Sequence, residues 1–455
     1  MSILIVDSRK QLFIDDRFIQ SSQGVVLSVN EARKYQEPVL IADRPWESMC
    51  IGGYSTVMEE NGLYRLWYEA YASDYREDYD AKLCYAFSYD GIHWEKPALG
   101  QSEFQGSRDN NIVFDDCHNF GYHGGTVFKD PIASPEERYK VLYQARGGTR
   151  SDQSNACMRG IYSKDGIRWV KYPGILADHL SDTQTVVHYD EDSGRYVGYF
   201  RVWTEKGYRA IGRSETPDFL CWPRDPELIL APDQNDPTDI HLYTNGYRSY
   251  RVAQDAHIFV ISSFHATTDL VDVQLATSRD GISWRRPDRR PLIRLGEEGT
   301  WDSGQIYVGA GTIDKGSELW VYYTGFRHGH GENRPDVISY EGKIGIAKIR
   351  KDGFMSAEAG PQGGFVMTPL LKFSGSHLEL NYDAGTEGEV SVELLGEDLI
   401  PIRAFSGPDC DPLHGDSTTK TVTWKGNDDL GHIAGRPTHL RFNMRDAKLF
   451  AFHFF

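Results

Sequence analysis

Apolar and polar residues alternate along most of this chain, in short runs broken by glycine-rich and acidic turns. Five runs stand out: Leu63-Tyr-Arg-Leu-Trp-Tyr-Glu-Ala-Tyr71, Arg138–Gln144, Arg195–Arg201, His257–Ser263 and Glu318–Thr324. A period of two, rich in β-branched and aromatic residues, predicts half-buried strands. Each run is followed by a second one, at Lys82–Ser88, Met158–Ser163, Tyr208–Ser214, Val271–Ser278 and Gly342–Lys348. Shorter runs precede the first three, at Tyr54–Met58, Gly125–Lys129 and Thr185–Tyr189, and Asn111–Asp115 reads as a further strand downstream of the first pair.

A turn motif punctuates these runs. Ser88-Tyr-Asp-Gly-Ile-His-Trp94 returns at Ser163–Trp169 and at Ser278–Trp284. It decays to Asp218-Phe-Leu-Cys-Trp222 in one copy and to Lys351-Asp-Gly-Phe354 in the last. A motif of this length repeated within one chain marks a repeat architecture. The unit is a four-stranded sheet, which cannot bury both its faces alone, and radial stacking of such sheets solves the problem. The expected fold is therefore all-β: a five-bladed β-propeller over residues 1–355, with Asp-Gly as the turn between third and fourth strands and Trp packed between blades. The fifth unit lacks an evident fourth strand, and Gln11-Leu-Phe-Ile-Asp-Asp16 is expected to supply it and close the ring. Ala357–Gly364 reads as a linker. Beyond it, Leu378–Asn381, Glu389–Leu395, Lys420–Trp424, Leu440–Asn443 and Phe450–Phe454 predict a β-sandwich over residues 365–455.

Composition agrees with a turn-rich β protein: 455 residues with 45 glycines, 26 tyrosines, 21 phenylalanines and 10 tryptophans. The formal net charge of −17 argues against nucleic acid or anionic membrane as a partner, since both require clustered Lys and Arg. Met1-Ser-Ile-Leu-Ile-Val-Asp7 is too short an apolar run for a signal-peptide core, and no run approaches a membrane span. The cysteines at 50, 84, 117, 157, 221 and 410 show no pairing pattern and read as reduced. These features describe a cytoplasmic protein, or an exported one whose leader has been removed.

In a propeller the innermost strands converge on one axis, so residues just before or within each first strand are the candidates for chemistry. The successive units offer Pro45-Trp46-Glu47-Ser48; Asp115, Asp116 and His118 with Gly121-Tyr-His123-Gly-Gly125; Leu180-Ser-Asp182-Thr-Gln184; Asp236-Pro-Thr-Asp239-Ile-His241-Leu-Tyr243; and Gly299-Thr-Trp301-Asp302-Ser-Gly-Gln305-Ile-Tyr307. One acid per unit at an equivalent point suits a pocket for hydroxyl-rich ligands. Carboxylates accept hydrogen bonds from sugar hydroxyls, and Trp and Tyr stack on sugar faces. A protonated acid can donate to a glycosidic oxygen while an ionised one attacks or activates water. Asp182 and Asp302 are the first catalytic candidates, with Glu47 or Asp239 completing the pair. His123, His241, Tyr243, Arg201, Arg146, Trp46, Trp301, Gln305 and Glu69 are candidates to bind substrate or tune the acids. No cofactor is implied. Acid clusters offer at most a structural Ca²⁺, and Phe326-Arg-His328-Gly-His330 suits a loop or two metal ligands.

On these repeats and acids the chain resembles the five-bladed propeller glycoside hydrolases, the grouping of families 32, 43, 62 and 68, over about residues 1–355. The following β-sandwich is similar to the family 32 arrangement, and the Ser-x-Asp-Gly-x-x-Trp turns also resemble the Asp-boxes of sialidases. The resemblance implies hydrolysis of furanosides or related plant and microbial glycans by inner-strand acids. It does not extend to the catalytic motifs. Trp46-Glu47-Ser48 stands where family 32 carries Trp-Met-Asn-Asp-Pro-Asn-Gly, Arg224-Asp225-Pro226 falls on the wrong strand, and the Glu-Cys motif is absent. The chain thus looks like a family 32-like bacterial branch. A lectin-like propeller would repeat one binding set between blades, whereas here the axial residues differ from unit to unit, which favours one asymmetric site. A glycoside phosphorylase on the same fold would need basic residues for phosphate, and Arg146 and Arg201 are available.

Overall fold

A computed structural model describes residues 3–147, 156–332 and 339–455. It is all-β, with only short 3-10 turns among the described residues. Three separate antiparallel sheets of four strands come first. They are Cys50–Glu60, Leu63–Tyr71, Lys82–Ser88 and Ile112–Phe114; then His123–Lys129, Tyr139–Arg146, Ala156–Ser163 and Trp169–Lys171; then Val186–Asp190, Arg195–Trp203, Arg209–Thr216 and Glu227–Leu230. A ten-stranded sheet holds the next two units. One is Ile240–Ser249, His257–His265, Leu270–Ser278 and Trp284–Arg285; the other is built on Gln305–Val308, Glu318–Phe326 and Lys343–Arg350. A single parallel step between Val271 and Gln305 joins them. The first strands of the units touch in cyclic order, the fifth returning to the first. The architecture is therefore propeller-like.

The repeated turn is what locks one unit to the next. In its first copy Ser88 Oγ accepts from the Gly91 N–H at 2.9 Å, and Asp90 Oδ1 accepts from the N–H groups of Ile92 and His93, each at 2.8 Å. Gly91 sits at φ 83°, where only glycine is unstrained. Its carbonyl then faces outward and accepts from Tyr322 of the fifth unit at 2.7 Å. The Gly166 carbonyl likewise accepts from Trp67 of the first unit at 2.7 Å, and that of Gly281 from Tyr199 of the third at 3.2 Å. The motif's own Trp94 and Trp284 turn back to bond the glycine carbonyl of their own turn, at 3.1 and 3.2 Å, and pack edge-on to Tyr322 and Tyr199.

Ring closure differs from the sequence expectation. Gln11–Leu12 pairs with Ala447–Phe454 at the far end of the chain, and the fifth unit is completed by Arg33–Lys34 and Leu40–Ile41 against Lys343–Arg350. The reason lies in the side chains around residue 13. Phe13 meets Phe18, Phe442 and Phe452 in an aromatic cluster, while Leu12 and Ile14 turn the other way, into a cluster with Ile258, Val260 and Val321. The segment thus joins two cores. Other N-terminal strands follow it: Leu4–Asp7 runs parallel to Leu371–Phe373, Ser21–Gln23 pairs with Gly364–Met367, and Val25–Val29 pairs with Met355–Ala359. The stretch expected as a linker is half strand, since Met355–Ala359 and Gly364–Met367 run into it from both sides and leave only the turn at 360–363 between them. Together with Gln11–Leu12, Ser21–Gln23 and Val25–Val29, the C-terminal strands form one sheet of six and one of four. No helix of the described residues is long and apolar enough to cross a membrane.

Ion pairs reinforce the contact between the first two units. Glu60 accepts from Arg65 at 3.0 Å, Lys129 at 2.9 Å and the Tyr139 hydroxyl at 2.5 Å. Burial alone would raise its pKa, but the bonds from Lys129, Tyr139 and Arg65 outweigh it and hold the carboxyl at about 2. Glu60→Gln should lower stability at pH 7 by about 1 kcal/mol in urea denaturation. A depressed carboxyl stabilises above its unfolded pKa, about 4.3 for Glu. The gap between wild type and variant should therefore hold at neutral pH and close as pH falls from there toward 2. Deleting residues 1–29 removes two fully buried phenylalanines, Phe13 and Phe18, and should cost more than about 6 kcal/mol, read as a loss of cooperative thermal unfolding.

Candidate active site

The inner strands lose regular pairing at one end of the axis. Their registers slip between Ile51 and Ser55, between His123 and Thr126, and between Leu242 and Thr244. Such bulges re-aim side chains and leave room between strands. Here they turn Tyr54, His123 and Tyr243 toward a common cavity of about 340 Å³. Two glycines clear space for it. A Cβ on Gly52 would stand 2.8 Å from the Glu69 Cβ, and one on Gly53 2.9 Å from the Tyr307 ring. Every unit contributes to the wall: Glu69, Tyr71 and Asp78 from the first, His123 from the second, Asp182 and Arg209 from the third, Tyr243 from the fourth, and Tyr307 and His330 from the fifth.

Glu69 is almost wholly buried at the floor. Its Oε1 accepts the Gly124 N–H at 2.5 Å, and its Oε2 lies 3.3 Å from the Tyr71 hydroxyl and 3.6 Å from His123 Nδ1. Burial pushes its pKa up to about 7, against the pull of His123, Gly124 and Tyr71 and with help from the Asp78 charge. Asp182, half-exposed, is held 3.3 Å from Arg201, whose other nitrogens donate to the Tyr243 carbonyl at 3.1 and 2.7 Å. Arg201 is itself buried beneath the Tyr243 ring, 4.1 Å from its centroid. Asp78 stands at the exposed lip and accepts from Tyr75 at 2.7 Å. The ligand atoms of Asp78, His123 and Asp182 all lie within 4.8 Å of one another, a spacing that suits a metal ion. His330 bonds the Tyr307 hydroxyl through Nδ1 at 2.9 Å, and burial, then Arg209, pulls its pKa down to about 4. It is neutral at neutral pH. Arg209 stacks over Tyr243 and Phe264, and no carboxylate among the described residues pairs with it.

Of the residues singled out in the sequence, Asp182, His123, Tyr243 and Glu69 line the cavity and Arg201 supports it from beneath. Three expected acids lie elsewhere. Asp302 is buried against Lys34 at 2.6 Å and Tyr323 at 2.9 Å, and so anchors the closing strand. Glu47, with no exposure, accepts from Lys96 and Tyr68, each at 2.7 Å, and from the N–H groups of Asp43 and Arg44. Asp239 caps a turn through the Thr267 N–H at 3.0 Å. Trp46 bonds Asn111 at 2.9 Å within a core cluster, and Trp301 stacks on Tyr323, covering Gly325 and Gly345. Arg146 is taken up by Glu77 and lies over Tyr79. His241 and Gln305 act one step back. His241 Nδ1 accepts the Arg209 N–H at 3.0 Å, and Gln305 bonds the carbonyls of His328 and Gly329, each at 3.0 Å, behind His330.

Tyr307, the last residue of the run offered by the fifth unit, lines the cavity; sequence reasoning missed Asp78, Tyr54, Tyr71 and Arg209. Asp78 lies in the loop after the second strand of the first unit, where Tyr75-Arg-Glu-Asp-Tyr-Asp80 is a dense acid–tyrosine run. That run was a usable signal.

No protein-family model matches the chain, and no curated protein does. Solved structures do. A glycoside hydrolase superposes with a TM-score of 0.50 at 12% identity, over 71% of this chain and 92% of that one. An N-acetylgalactosamine deacetylase from F. plautii, solved with blood group B trisaccharide, superposes with a TM-score of 0.50 at 16% identity, over 72% of this chain and 96% of that one. A thermostable family-43 glycoside hydrolase reaches a TM-score of 0.47 at 15% identity, over 68% and 92%. At such identities the first two likenesses describe the fold.

Gly124 ties the site's two halves together. Its N–H serves Glu69, its φ is +69°, and a Cβ there would stand 2.1 Å from the Thr183 carbonyl oxygen, next to Asp182. Gly124→Ala should cost about 3 kcal/mol in urea denaturation. Gly207→Ala, at φ +80° but in open space, should cost about 1 kcal/mol from the backbone alone.

Proposed function

We propose that the chain is a five-bladed β-propeller glycoside hydrolase that cleaves a glycosidic bond in the axial cavity. In this reading residues 33–350 form the blades. The strands from Met355 onward, with those of residues 4–29, form an accessory β-sandwich. The observation that carries it is the asymmetry of the cavity. Five similar units bring five different polar sets to one point, and three of the side chains there are carboxylates: Glu69, Asp78 and Asp182. A repeated binding module has no use for that divergence; a single reaction centre does.

The roles follow from position. Glu69 lies deep, bonded by a backbone N–H and by no Lys or Arg among the described residues. It faces the cavity as the group that exchanges a proton with the leaving oxygen. Asp182 is paired with Arg201 and serves as the partner that attacks or activates water. The rings of Tyr54, Tyr243 and Tyr307 offer faces for a sugar, and Arg209 has donors free for its oxygens. Furanosides or related glycans are the substrate class, which the resemblance to families 32 and 43 also supports.

A panel of aryl furanosides and pyranosides and natural oligosaccharides, assayed with and without phosphate, tests this reading. Reducing ends should appear independently of phosphate. Glu69→Gln should lower turnover by about 10²-fold or more while the melting temperature stays close to wild type. Phosphate-dependent release of a sugar phosphate, release of acetate without new reducing ends, or sugar binding with no turnover would each overturn it.

A further inference from the structure

We propose that the cavity holds a divalent transition-metal cation on Asp78, His123 and Asp182. Three units of the ring deliver these side chains, and their donor atoms lie within 4.8 Å of one another. Ligands about 2–2.2 Å from a shared ion stand at most about 4.4 Å apart, so side-chain rotation of a few tenths of an ångström brings the three atoms into range. Acids at a cavity lip gather without any ion in many proteins, so the histidine decides the matter. His123 is only 5% exposed. Its Nδ1 is taken by the Tyr71 hydroxyl at 3.0 Å, with the Glu69 carboxylate 3.6 Å away on the same side. Its Nε2 has no partner among the described residues, although the ring borders the cavity. An imidazole held through one nitrogen by a hydroxyl, with a carboxylate 3.6 Å off on that side and its other nitrogen unpartnered among the described residues, is the arrangement that orients a metal-ligating histidine.

The donor set also selects the ion. One imidazole and two carboxylates suit Zn²⁺ or Mn²⁺ better than Ca²⁺ or Mg²⁺, which prefer oxygen-only shells. Three protein ligands leave positions open toward the cavity, where water or substrate oxygens complete the shell. The proposal rests on the functional reading above only for its place. A cation held by Asp78, His123 and Asp182 would supply a Lewis acid for water or substrate oxygens, and Glu69 would stay outside the ligand set.

Metal binding is measurable without substrate, so its failure is distinct from failure of the glycosidase reading. Full-length protein stripped with a chelator is titrated with Zn²⁺ and with Mn²⁺, by calorimetry and by thermal shift. The metal content of the untreated protein is read by elemental analysis. One equivalent should bind and raise the melting temperature, with Ca²⁺ unable to compete. Asp78→Asn, at the exposed lip, should fold normally and weaken binding by about 10²-fold or more, and Tyr71→Phe, a positioning change, by about 10-fold. Failure of the stripped protein to bind either ion, or equal affinity in Asp78→Asn and wild type, would overturn the proposal.

Discussion

Each four-stranded sheet in this protein has two apolar faces and can satisfy them only against its neighbours. The rest of the structure depends on that constraint. Faces of about the same size, repeated along the chain, stack in a ring. The ring forces the first strand of every unit toward one axis. Space there is short, so the strands carry paired glycines at 52 and 53 and at 124 and 125, and they break register. The breaks make the cavity and aim Tyr54, His123 and Tyr243 into it. Packing of the faces thus generates the place where the polar side chains meet.

The same constraint explains the outer turn. An Asp-Gly corner presents its glycine carbonyl to an aromatic donor on the preceding unit, at Tyr322, Trp67 and Tyr199. The donor identity varies because the carbonyl asks only for an N–H or O–H at the right height. In the three intact copies the Ser, Asp and Gly of the turn do not vary, because each has a fixed backbone task. Scaffold repetition and axial divergence are two sides of one arrangement.

Much of this was legible from local pattern. The strand runs, the all-β class and the turn could be read because each is a matter of period or of backbone conformation within a few residues. Asp182, His123 and Tyr243 could be found because they sit at the heads of inner strands. Asp302 and Glu47 sit in sequence contexts just as sharp, yet Lys34 and Lys96 take them up. Nothing near residue 302 announces a lysine at 34. The closing strands are too short to show a period, and Gln11–Ile14 alternates like a blade strand while serving two cores at once. What escaped the sequence reading was non-local pairing, in ion pairs and in strands alike.

The pairing of the first strands with the last has a consequence for how the chain is made. During synthesis residues 4–29 emerge well before their partners beyond residue 354, with the whole ring between them. Through translation of the whole ring Phe13 and Phe18 have no aromatic cluster to enter, and an apolar strand edge stays open on the nascent chain. The units can condense one by one as they appear, but residues 4–29 can be sewn in only once the strands beyond residue 354 have been made. Their docking is thus a late event, and a polypeptide stalled short of those strands carries an exposed, adhesive segment at 4–29.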